Sequence, residues 1–157
     1  MLDAVSESTA PAGSQPTRSS AQTRRVAAID IGTNSTHLLV ASVDTTLGTF
    51  SIEQAEKSTT RLGERDPDSG ELTSAGMQRG YETLRRFRDL AISHDVEQIV
   101  TAATSAVREA PNGREFLQSI QDGLGMDVDL VSGPEEARLI YLGVLSGMSF
   151  GDRPHLL

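Results

Sequence analysis

Val26-Ala27-Ala28-Ile29-Asp30-Ile31-Gly32-Thr33-Asn34-Ser35 is the stretch on which the fold turns. Its apolar, β-branched first half reads as a buried strand. Its glycine and short polar residues read as a turn. A second apolar run, His37-Leu38-Leu39-Val40-Ala41-Ser42-Val43, begins at once, so the turn is expected to join two antiparallel strands. The result is a strand that ends in a carboxylate, followed by a polar tip. Gly, Asn, Ser and Asp are the ordinary residues of any hairpin turn, and taken alone the segment reads that way. A second reading is chemical. Gly32 lets an anion approach the backbone, and Thr33, Asn34 and Ser35 can donate to phosphate oxygens. Asp30 can hold Mg²⁺ or orient a water.

The 157 residues are one domain's worth and enough for a core. Hydrophobic residues make up 37% and aromatics only 4%, so aliphatic side chains and alanine must fill that core. With no cysteine there is neither a disulfide framework nor a thiolate site, which is compatible with a cytoplasmic protein. No apolar run approaches membrane-spanning length, and the N-terminus lacks a signal peptide's pattern. A net charge of -8 argues against a general nucleic-acid binder. Lys57 is the only lysine among the 14 basic residues. The arginine fork suits phosphate, although a compositional preference would give the same count.

Residues 1–24, rich in Ser, Thr, Ala, Pro and Gln, read as a disordered leader. Strands are expected over Val26–Ile31, His37–Val43 and Thr49–Lys57, with a loop over Arg61–Glu71. Thr73 is expected to cap a helix over Ser74–Ser93, with Met77, Tyr81, Leu84, Phe87 and Ala91 on its apolar face. Gln98–Thr104 reads as a buried parallel strand. Asn112 is expected to cap a helix through Asp122 that ends at Gly123 or Gly125. Val128–Val131 reads as a short strand, and Pro134 suits the first turn of a last helix, Glu135 to about Leu145. The order β-β-β-α-β-α-β-α predicts a mixed α/β sheet of three antiparallel and two parallel strands.

Two further segments carry chemistry. Ala103-Thr104-Ser105-Ala106-Val107-Arg108-Glu109-Ala110 follows the fourth strand, where open α/β sheets place ligands. Thr104 and Ser105 can donate to phosphate and Arg108 can pair with it through two N–H groups. A plain strand-to-helix connection with a solvated arginine fits equally well. Ser132-Gly133-Pro134-Glu135-Glu136-Ala137-Arg138 opens the last helix. Its two glutamates suit the helix dipole, and one of them could serve as a general base for water. All three segments fall at one end of the deduced sheet. A carboxylate, a Gly-rich tip, an arginine and a glutamate around one cleft are what phosphoanhydride hydrolysis needs.

With these residues in hand, the chain resembles the exopolyphosphatase/guanosine pentaphosphate phosphohydrolase (Ppx/GppA) family over about residues 25–157. The matching segments are Ala28–Ser35, Arg61-Leu62-Gly63-Glu64, Ala103–Ala110 and Ser132–Ile140, in family order. The resemblance implies a ribonuclease H-like domain of the actin, Hsp70 and sugar-kinase superfamily. It implies that Asp30, Gly32, Thr33, Asn34 and Ser35 form the first phosphate loop, with Asp30 near Mg²⁺. Arg108 would bind substrate phosphate, Glu136 would be the catalytic base, and Glu135 its structural neighbour. The implied activity releases terminal phosphate from inorganic polyphosphate, or converts guanosine pentaphosphate, an alarmone of the stringent response, to the tetraphosphate. Homodimers are common in such a family.

The chain departs from the family pattern twice. Arg65 stands where a glycine usually follows Arg-Leu-Gly-Glu. A second strand with an Asp-Ile-Gly-Gly-Gly-Ser loop is expected after the Glu-Glu helix, and His155-Leu156-Leu157 reads as the start of that strand. Residues 25–157 are therefore expected to be the first lobe of a longer enzyme, inactive alone. The competing expectations are a catalytically silent fragment that binds phosphate or a partner, and a sugar- or acetate-kinase-like phosphotransferase.

Overall fold

The computed structural model describes residues 23–147. Apart from Thr23 and Arg24, the leader expected over residues 1–24 lies outside the described residues, as does the strand start expected at His155-Leu156-Leu157. Within them the order is β1 (Thr23–Ile31), β2 (Ser35–Asp44), β3 (Thr49–Thr59), α1 (Ser74–Ser93), β4 (Gln98–Ala103), α2 (Ser105–Arg108), α3 (Gly113–Leu124), β5 (Asp129–Leu130) and α4 (Gly133–Gly147). The five strands form one sheet in the order β3-β2-β1-β4-β5. β1 and β2 pair antiparallel, as do β2 and β3, whereas β1–β4 and β4–β5 are parallel. This is the predicted mixed sheet. The chain returns to a parallel neighbour only through a helix, because a parallel pair cannot be closed by a tight turn.

Alternation along β1 sets the layers. Ala27, Ile29 and Ile31 are buried and face α1 and α3, while Ala28 and Asp30 point to the other face. Leu38 and Val40 of β2, Leu84, Phe87 and Ala91 of α1, and Phe116, Ile120 and Leu124 of α3 join the same cluster. Each large aliphatic or aromatic side chain buried there contributes about 1.5–3 kcal/mol. α4 borders the opposite face at the end of the sheet, where Glu136, Leu139 and Ile140 share a cleft with Asp30 and Ala102. There Leu139, Ile140, Tyr141 and Leu142 remain exposed, as do Val100 and Leu130 of the sheet.

Four details differ from the sequence reading. Thr23 and Arg24 belong to β1 rather than the leader, because they pair with Asp44 and Val43 across the hairpin. The fifth strand keeps only Asp129 and Leu130, the pair opposite Ala102 and Ala103. A four-residue helix, α2, interrupts what was read as a plain connection. The side chain of Asn112 does not cap α3. It is buried, where its Oδ1 accepts from Leu72 N at 2.9 Å and its Nδ2 donates to Leu72 O at 3.1 Å. That bond pair satisfies a buried backbone unit in the 61–72 loop, a larger demand than one exposed helix end. α1 does begin behind Thr73, whose hydroxyl accepts from Gly76 N. α3 ends at Gly125, with φ 64°, a left-handed conformation in which glycine carries no Cβ penalty.

Candidate functional site

At the C-terminal ends of β1, β4 and β5, Asp30, Ala102, Thr104, Val131, Glu136, Leu139 and Ile140 line a cleft of about 300 Å³. Asp30 enters it from β1, because alternation turns it away from the core face. Glu136 enters from the first turn of α4. Ser132 fixes that turn: its hydroxyl accepts from Glu135 N at 3.3 Å, and its carbonyl accepts from Glu136 N at 2.8 Å. The two glutamates then diverge. Glu135 pairs with Arg138 at 3.0 Å on the exposed side of the helix. Glu136 turns toward Arg108, whose Nη1 lies 3.8 Å from Glu136 Oε2.

Arg108 closes α2. Its Nη1 donates to Val131 O at 2.6 Å, tying α2 to the loop that precedes α4. Its Nη2 lies 3.5 Å from Glu109. The Asp30 carboxyl is held above its usual range, first by burial, although the residue keeps an exposed edge. His37, its partner across β2, pulls the other way, and the Glu136 carboxylate adds to the rise. Two carboxylates therefore share this end of the cleft, and a further positive charge there would counter the rise at Asp30.

The hairpin tip sits beside the cleft, and Thr33 Oγ1 lies 3.2 Å from Ser105 Oγ. That contact joins the first predicted phosphate segment to the second. Gly32 N donates to Ser35 O at 3.1 Å, so this amide is spent inside the turn. Thr104 reaches the cleft, but its backbone N–H and its hydroxyl both point to Ile31 O. Ser105, one residue on, carries the hydroxyl that faces the tip. Of the predicted site residues, Gly32, Thr33, Asn34, Ser35, Ser105 and Arg108 stand outside the cleft lining, which Asp30, Thr104 and Glu136 share.

The sequence reading missed how the tip is held. Thr60 N and Arg61 N both donate to Asn34 O, at 3.1 and 3.0 Å, and Gly63 N donates to Thr33 O at 2.8 Å. Loop 60–63 therefore grips the tip by its carbonyls. Gly63 is required by the close approach: a Cβ there would lie 2.3 Å from Thr33 Cγ2. Below this grip, the hydroxyls of Thr36 and Thr60, both fully buried, meet at 3.3 Å. Arg65, the residue at the first departure, donates from Nη2 to Ala106 O and ties the same loop to α2. The only sequence signal for the grip was the Arg61-Leu62-Gly63-Glu64 segment itself.

Among the described residues no group of three or more His, Cys, Asp or Glu side chains is placed to hold a metal. No helix among them is long and apolar enough to cross a membrane.

A family model described as the Ppx/GppA phosphatase family matches residues 39–157. Exopolyphosphatase 1 of Mycobacterium tuberculosis, and that of Mycobacterium bovis, are 34% identical over 121 residues, or 76% of this chain and 35% of theirs. Among solved structures, a PPX-GPPA enzyme of Aquifex aeolicus superimposes with a TM-score of 0.75 at 31% identity, over 80% of this chain and 42% of that one. An exopolyphosphatase from Cytophaga hutchinsonii does so with a TM-score of 0.71 at 33% identity, over 77% and 38%. The chain spans about a third of the length of the curated relatives it matches.

Proposed function

The chain belongs to the Ppx/GppA phosphatase family, and from that premise we propose that residues 25–157 supply one side of a phosphohydrolase cleft that releases terminal phosphate from inorganic polyphosphate. The fold is the actin-like, ribonuclease H-like fold of its structural neighbours. The observation that carries the proposal is the meeting of three sequence segments at one sheet edge. Asp30, Thr104 and Glu136 line one cleft, Arg108 stands beside Glu136, and Thr33 touches Ser105.

Arg108 offers a positively charged fork to the terminal phosphate, and its bond to Val131 O fixes the guanidinium's direction. The tip Gly32–Ser35 and the hydroxyl of Ser105 receive the next phosphate oxygens. Glu136 accepts a proton from a water. The water oxygen bonds to the terminal phosphorus as the bridging P–O bond breaks, giving orthophosphate and a chain shorter by one unit. Conversion of guanosine pentaphosphate to the tetraphosphate is the same cleavage on another phosphoanhydride, and belongs to the same proposal.

The donor set fits Mg²⁺, which favours one or two carboxylates plus substrate oxygens over an all-protein cage. Asp30 would hold it, and the raised carboxyl beside Glu136 is the state a cation would correct. Mg²⁺ there would neutralise phosphate charge and ease attack by an anionic nucleophile.

The test is orthophosphate release from polyphosphate by a polypeptide of the relatives' length that contains residues 25–157. Metal-dependent release, with orthophosphate as the only small product, is expected. Phosphorylation of a sugar or of acetate from ATP, without polyphosphate cleavage, would contradict the proposal.

A further inference from the structure

Arg61 is one of two described non-glycine residues with positive φ, at 49°. Glycine takes this left-handed conformation freely and asparagine with little cost, but a long side chain pays for it. Such strain persists where surrounding structure imposes it, and it gathers at binding sites. Here the imposing structure is the grip on the tip. Arg61 N donates to Asn34 O at 3.0 Å, beside the bond from Thr60 N to the same oxygen. The backbone needs the conformation, yet it does not need an arginine.

The guanidinium is not consumed nearby. Its nearest carboxylate, Glu64 Oε1, lies at 4.0 Å, the outer limit of an ion pair, with the arginine 67% exposed. The other oxygen, Glu64 Oε2, takes Arg79 Nη2 at 2.7 Å, and Arg79 also donates from Nε to Thr60 O at 2.9 Å. Glu64 is thus matched by Arg79, and the Arg61–Glu64–Arg79 group keeps one positive charge in a chain whose net charge is -8. An exposed pair at 4.0 Å does not account for a strained arginine, since such pairs contribute little.

We propose that Arg61 is a phosphate-binding residue of this site, a second guanidinium that reaches from the 60–63 grip to an anion held at Thr33–Ser35. Its backbone starts one hydrogen bond from the tip, and its side chain is exposed and in surplus charge. Arg108 serves the terminal phosphate beside Glu136, and Arg61 serves a phosphate further along the chain. The occupant is a linear phosphoanhydride with at least two phosphate groups. This inference rests on the reading of Gly32–Ser35 as a phosphate tip.

The experiment is calorimetric titration of sodium tripolyphosphate into the chain, Arg61→Gly and Arg61→Lys, at low salt with Mg²⁺, alongside thermal melts of each. Loss of one charge-assisted phosphate contact weakens binding by about tenfold. Arg61→Gly is expected to show that loss with Tm unchanged or raised, because glycine relieves the backbone. Arg61→Lys is expected to bind between wild type and Arg61→Gly, because the charge remains while the planar fork is lost. Binding by Arg61→Gly as tight as wild type overturns this inference alone. Loss of binding with a parallel drop in Tm overturns it too, as it would mark a structural role. No binding of tripolyphosphate by the wild-type chain overturns the phosphate-tip reading and this inference with it.

Discussion

Arg108 Nη1 stands 3.8 Å from Glu136 Oε2 while it donates to Val131 O at 2.6 Å. One guanidinium therefore spans α2 and the loop that aims the first turn of α4. The residue proposed to hold phosphate also fixes the surroundings of the residue proposed to activate water. Damage to Arg108 should reach both roles.

Arg108→Lys keeps the charge but loses the planar fork. In the activity assay on the longer polypeptide, kcat/KM for polyphosphate should fall by about 10²-fold. Glu109→Gln removes only an exposed partner at 3.5 Å and should leave kcat/KM within about twofold. Equal losses in the two variants would contradict the role given to Arg108.

The close approach of Gly63 to Thr33 gives a paired prediction. A Cβ at residue 63 would lie 2.3 Å from Thr33 Cγ2, so Gly63→Ala must displace the tip or strain it. Overpacking of this kind costs about 1–3 kcal/mol. Thr33→Ser deletes the clashing methyl and should restore much of that loss. Urea titration of the two single variants and the double variant measures the coupling. Additive effects would mean that the two residues do not meet.

Burial raises the Asp30 carboxyl above 3.8, its value in an unstructured chain. The folded protein then binds this proton more tightly than the unfolded chain. By linkage, the carboxylate lowers stability as pH rises through 3.8 and the raised folded value, and the loss persists at neutral pH. Asp30→Asn should therefore melt higher than wild type at pH 7 without Mg²⁺, and the difference should vanish near pH 3. A lower Tm for Asp30→Asn at pH 7 would contradict the desolvation of Asp30 beside Glu136.

Asn112→Ala leaves the N–H and C=O of Leu72 unpaired in a buried setting. A loss of about 2–4 kcal/mol in urea-unfolding free energy is expected. A helix cap alone would cost about 1 kcal/mol, so the size of the loss separates the two roles.

Long, periodic elements were legible in the sequence. α1 falls on Ser74–Ser93 because Thr73 is a good cap and Leu84, Phe87 and Ala91 recur at helical spacing. The parallel direction of β4 and β5 followed from the helices that precede them. β5 shrank because only Asp129 and Leu130 stand in register opposite β4, and pairing is not written in local composition. α2 is too short for any periodicity to show. Asn112 looked like a cap because its type suits one, whereas its partner, Leu72, lies 40 residues away. The same reason hid the grip on the tip. Bonds from Thr60, Arg61 and Gly63 to Asn34 and Thr33 are all backbone to backbone, and only Gly63 leaves a trace in residue type. Asp30, Arg108 and Glu136 stood out by residue type, and the structure brings them to one end of the sheet; the backbone bonds around them were not legible.

The central claim is that Glu136 activates water in a phosphoanhydride-cleaving cleft. Orthophosphate release from polyphosphate should be followed in the longer polypeptide with and without Glu136→Gln, together with tripolyphosphate affinity. The account predicts a fall in kcat of about 10²–10⁴-fold, the usual worth of a general base, with affinity changed by less than about threefold. Equal release by the two proteins would contradict it.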